Sequence, residues 1–126
     1  METMTQEDKE LLLKDLCARL PYGVKVESVF INPDTKEHKS CGIEVFNATS
    51  LLMIRDGLGE FKPYLFPLSS MTEEQIKEFN SITQKCNTYI GKSILLTDFC
   101  NKHHIDWRGF IEKGLALDAT GLDIYE

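Results

Sequence analysis

At 126 residues and 14.4 kDa, with 42% of residues apolar and 27% charged, the chain is sized for one globular domain with a real core. Eight glycines and four prolines exclude a fibrous or low-complexity protein. The formal net charge of −6 is split evenly, −3 in each half, so no basic lobe stands ready to displace counterions from nucleic-acid phosphates, and nucleic acid is set aside as a partner.

Residues 5–19 read as the first helix. Thr5 caps it, Glu7 and Asp8 complement the positive end of its dipole, and Leu12, Leu16, Arg19 and Leu20 recur at helical spacing with Leu13 and Cys17 widening the stripe. Pro21 stops it. The period then falls to two: Val24, Val26 and Ser28 alternate with Lys25, Glu27 and Val29, and Phe30 and Ile31 lead into the turn formers Asn32-Pro33-Asp34. After a solvated loop over 36–39, residues 41–46 give a second strand with Ile43 and Val45 on one face. Residues 47–49 read as a connection, 51–55 as a third strand, Asp56-Gly57 as a hairpin turn and 60–65 as a fourth strand. Pro63 and Pro67 cannot donate to a ladder and assign that last strand to an edge. Connections this short make the sheet mainly antiparallel.

Met71-Thr72-Glu73-Glu74-Gln75-Ile76 combines an N-cap, a capping box and a hydrophobic staple. It predicts a helix to about residue 89, with Ile76, Phe79, Ile82 or Thr83, Cys86 and Ile90 inward and Gly91 closing it. Residues 93–96 read either as a short strand or as the approach to a helix capped by Thr97. Asp106 caps a further short helix that carries Trp107, Phe110 and Ile111 and breaks at Gly114, after which Leu115, Leu117, Leu122 and Ile124 lie on the body. The expected architecture is a single α+β domain spanning 1–126: an N-terminal helix, a mainly antiparallel sheet of three to five strands, and two or three C-terminal helices packed on it.

The four cysteines, Cys17, Cys41, Cys86 and Cys100, lack the dense spacing of a secreted disulfide scaffold and read as free thiols. The opening ten residues are too charged for a signal peptide, and no apolar run approaches the roughly 20 residues of a membrane span. A cytoplasmic protein without a membrane partner is expected. Cys100 and His103, with His104 adjacent and Cys86 upstream, have a spacing that suits zinc, but there is no second pair of close ligands, and no metal or other cofactor is called for. A cysteine hydrolase has its ingredients in the four thiols and His38, His103 and His104, with no local signature to select among them. Phosphate-binding loops, dinucleotide fingerprints, nucleophile elbows and zinc-protease motifs are all missing from the sequence.

The features that suggest binding are two aromatic segments, Phe61, Tyr64 and Phe66 with their flanking prolines, and Trp107, Arg108 and Phe110; aromatics with Arg are enriched at interface hot spots. The opening helix leading to residues 20–23, together with residues 62–75 and 103–117, also carries a resemblance: these segments, about half of the chain, are similar to a group of small proteins of gut bacteria and their prophages or mobile elements. The resemblance implies a bacterial cytoplasmic accessory protein and assigns no residue a role. The leading expectation is therefore a non-enzymatic module that binds another protein. The alternative is a small enzyme or ligand-binding protein whose site gathers Cys100, His103 and His104. A flat exposed aromatic patch favours the first and a pocket with convergent polar groups the second.

Overall fold

The computed structural model describes residues 5–85 and 87–125. The chain is α+β, as expected, and runs α1 (Gln6–Arg19), a 3₁₀ turn (Leu20–Tyr22), β1 (Lys25–Ile31), β2 (His38–Val45), α2 (Ala48–Arg55), β3 (Gly59–Leu65), a second 3₁₀ turn (Leu68–Ser70), α3 (Glu73–Lys85), α4 (Tyr89–Lys102) and β4 (Leu117–Asp118). The strands form one mixed sheet in the order β2-β1-β3-β4, antiparallel except where β4 lies parallel to the end of β3.

α1 starts where the Thr5 hydroxyl accepts the Asp8 N–H at 3.0 Å. It buries Leu12 and Leu16, whereas Cys17 faces solvent and does not extend the apolar stripe. Val24, Val26, Phe61 and Leu65 present the inner face of the sheet to α1, and Phe46, Phe110, Leu115 and Ala116 complete this main core. Phe46 meets Phe61 edge-to-face with ring centres 5.7 Å apart. Ile43 and Val45 share a face as expected, but it is the open one, and both are nearly half exposed.

Residues 51–55 are not a strand. They belong to α2, whose cap Asn47 accepts the N–H groups of Thr49 and Ser50 while the Ser50 hydroxyl accepts the Asn47 N–H. The Asp56-Gly57 pair ends this helix, Gly57 taking the left-handed conformation at φ 71°, and is no hairpin turn. β3 sits between β1 and β4, not at an outright edge. Pro63 is tolerated there because Ile31 donates to the Leu58 carbonyl, and alternation along the ladder then leaves Pro63 in a pair without hydrogen bonds to β1. The β4 pairing begins only at Tyr64.

The capping box of α3 forms as expected: Gln75 N–H donates to the Thr72 hydroxyl at 3.1 Å and Thr72 N–H to the Gln75 side-chain carbonyl at 3.0 Å. α3 ends at Lys85, short of residue 89, and Ile76 is exposed, not inward. The Cys86 expectation falls outside the described residues. A separate helix follows. Thr88 caps α4 by accepting the Gly91 N–H at 3.0 Å, so residues 93–96 are helical and Gly91 opens this helix, where it was expected to close the preceding one. Phe79, Ile82, Met71 and Trp107 pack against Phe99, Cys100 and Ile105 in a second core cluster. Asp106 accepts the N–H groups of Phe110 and Ile111 at 2.8 and 2.9 Å, but these close turns, and no helix follows.

Candidate functional site

Where α4 ends, its last carbonyls are met twice. Ile105 N–H donates to the Cys100 carbonyl at 2.8 Å and His104 N–H to that of Asn101 at 3.3 Å, the Schellman pattern, with Cys100 and Ile105 in apolar contact beneath it. The position that normally holds glycine is His104, at φ 59°. A residue with a Cβ costs about 1–2 kcal/mol there, so the imidazole is kept against a backbone preference.

The turn is clamped from behind by Arg19, which is fully buried on α1. Its Nη2 donates to the Ile105 carbonyl at 2.7 Å and its Nε to the Asp15 carboxylate at 2.8 Å. Arg108 donates to the other Asp15 oxygen at 3.0 Å and lies 4.0 Å above the Trp107 ring. Two cations thus face one buried carboxylate, and Nη1 and Nη2 of Arg19 each reach a backbone oxygen, those of Cys100 and Ile105, which helps a buried ion pair to hold its geometry.

On the outer side of the same turn, the C-terminal segment returns. His104 stacks on Tyr125 with centres 3.9 Å apart and planes 13° from parallel. The Tyr125 hydroxyl accepts the Lys25 N–H at 2.6 Å and donates to the Tyr64 carbonyl at 2.8 Å, while Lys25 Nζ donates to the Ile124 carbonyl at 2.5 Å. The Tyr22 hydroxyl donates to Asp98 and ties the first 3₁₀ turn to α4. Between these elements opens a cavity of about 920 Å³, walled by Tyr22, Phe66, His104 and Tyr125 and edged by Lys25, Lys102, His103 and Asp123. A smaller cavity of about 290 Å³ lies between α1 and β3, lined mostly by apolar side chains.

Burial pushes the His104 imidazole down to about 4, aided by the positive charges of Arg19, His103 and Lys25, and pushes the Tyr125 phenol up to about 12. His104 is therefore neutral at pH 7. Because its folded value lies below the unfolded one, the unfolded chain binds the extra proton between about pH 6.5 and 4, and stability falls as pH drops through that window. Discounted for partial solvent screening, the loss is expected to be about 1–2 kcal/mol. The change in unfolding free energy between pH 7 and pH 4 should be smaller in His104→Asn than in the parent, since Asn tolerates the left-handed backbone and does not titrate.

The residues singled out from sequence are distributed differently from expectation. Phe61, Tyr64 and Phe110 are 4%, 8% and 0% exposed and belong to the interior. Phe66 is half-buried on the cavity wall; Trp107 packs on the second cluster, its indole N–H donating to Asn101 at 3.1 Å, and Arg108 is spent on Asp15. The two segments therefore form no flat exposed aromatic patch. Cys100 is buried in the second cluster and burial raises its thiol pKa, the reverse of an activated nucleophile. His103 packs its ring on Phe99 and approaches Glu78 at 3.4 Å, and among the described residues no three His, Cys, Asp or Glu side chains converge as a metal site.

The apolar surface that sequence reading missed is on α4. Tyr89, Ile90, Ile94 and Leu95 are 90%, 76%, 64% and 48% exposed, at consecutive and i, i+4 positions over its first two turns. The available signal was electrostatic: no Asp or Glu stands between Glu78 and Asp98, while Lys85 and Lys92 do, in a chain that is otherwise acidic. No described helix is long and apolar enough to cross a membrane. Compared with protein-family models, curated proteins and solved structures, the chain matches none of them.

Proposed function

We propose that the protein is a non-enzymatic interaction module of the cytoplasm that binds another protein through the amino-terminal half of α4. The observation that carries this reading is the exposure of Tyr89, Ile90, Ile94 and Leu95 on adjoining turns of one helix. Such a patch costs solubility unless a partner covers it, and an aromatic with aliphatic neighbours is what interface centres use. Lys85 and Lys92 flank these residues in a stretch of sequence, 79–97, that holds no Asp or Glu, so the partner the patch fits is an apolar segment bordered by carboxylates. The bacterial accessory setting implied by the resemblance, in a cell or its mobile elements, belongs to the same proposal.

A comparative capture experiment tests it, using the full chain and an Ile90→Lys/Ile94→Lys variant. Both positions are exposed, so the variant should keep its folding stability within about 0.5 kcal/mol. A stoichiometric partner held by the parent and lost from the variant supports the assignment. A partner held equally by both contradicts it, as does a patch whose only occupant is a vesicle of anionic lipid.

A further inference from the structure

The cavity at the foot of α4 takes no part in that interaction surface, and its chemistry is of another kind. Its volume of about 920 Å³ lies within the range of small-ligand sites. One wall is aromatic and continuous: Phe66 meets Tyr125 with ring centres 5.8 Å apart, and Tyr125 stacks in turn on His104, its hydroxyl locked by hydrogen bonds to Lys25 and Tyr64. Among the described lining residues, the cavity's edge carries two ammonium groups, that of Lys102 and that of Lys25, which also donates to the Ile124 carbonyl, against one carboxylate, Asp123. The imidazole in that wall occupies a backbone position that favours glycine, so the ring is present at a conformational cost.

From this combination we infer that the cavity binds a small planar aromatic anion, its ring on the continuous surface of Phe66, Tyr125 and His104 and its anionic group at Lys102 and Lys25. The preformed platform supplies contact area at little ordering cost, and the two lysines select charge. The shared chemistry is a flat ring bearing a phosphate or a carboxylate. The site is independent of the α4 patch, and its failure leaves the protein-binding reading untouched.

Calorimetric titration of the full chain tests it with two aromatic anions, adenosine monophosphate and 4-hydroxybenzoate, each beside a control that lacks one half of the chemistry. The controls are adenosine, inorganic phosphate and cyclohexanecarboxylate. At least one aromatic anion should bind saturably at one site per chain, about tenfold tighter than its uncharged or non-aromatic control. Which of the two binds identifies the anionic group. Lys102→Ala, at an exposed position, should weaken that binding about tenfold, and His104→Asn should weaken it while preserving the left-handed turn; Lys62→Ala, outside the cavity, should leave it unchanged. The inference is overturned if neither anion binds at millimolar concentration, if a control binds as tightly, or if Lys102→Ala leaves the affinity unchanged.

Discussion

Arg19→Ala is expected to destabilise the fold by about 3–5 kcal/mol, a large part of the 5–15 kcal/mol typical of a domain. The side chain is fully buried, and its removal strands the Asp15 carboxylate in the interior with only the partly exposed Arg108 facing it. It also leaves the Ile105 carbonyl without its 2.7 Å donor. Urea unfolding monitored by circular dichroism measures the loss. Arg19→Lys should recover little of it, because a point-like ammonium cannot reach the carboxylate and the carbonyl at the angles that a planar guanidinium spans. Asp15→Leu/Arg19→Met, which removes both charges, should cost less than the single Arg19→Ala change, since no charge is then buried unpaired except the exposed-side Arg108. A single-variant loss below about 1 kcal/mol would contradict the clamp.

The second large effect is expected at Phe110, where truncation to alanine should cost about 3–5 kcal/mol by lost burial and the cavity left behind. Phe110 is 0% exposed and packs in the main core with Phe46, Phe61 and Leu65. The change separates two roles for this aromatic segment. If Phe110 served a partner, Phe110→Ala would spare the melting temperature and abolish capture; as a core residue, it should lower the melting temperature by many degrees. Tyr89→Ala is the opposite case, near zero in stability because the ring is 90% exposed, with its effect confined to binding.

Much of the fold is written in short-range signals. Thr5 and the Thr72–Gln75 box specify the starts of α1 and α3, and the alternation through Val24, Val26 and Ser28 specifies β1 and its buried face. α2 escapes because a short apolar run from Leu51 to Ile54 fits a strand and a helix equally well by period, and its cap pairs Asn47 with Ser50 where a box usually ends in Glu or Gln. α4 escapes for a different reason. Its apolar residues at 89, 90, 94 and 95 face solvent, so the hydrophobic period says nothing about what the helix packs on.

The site is less legible still, because its parts meet only through long-range contacts. Arg19 reads from sequence as a basic residue suited to the negative end of a helix, and nothing local shows that its partner is a carbonyl 86 residues away. His103 and His104 stand out as candidates, but the platform beside them depends on Tyr125 returning across 100 residues to Lys25. Phe61, Tyr64 and Phe110 are conspicuous in the sequence for the same reason that they are interior: large rings bury the most surface.

Hydrogen exchange of the protein free and with its captured partner tests the proposed interface most directly. Protection gained at the backbone amides of residues 89–95, with segments 61–66 and 107–110 unchanged between the two states, is the predicted result. Protection gained in those two aromatic segments and none on α4 would contradict it.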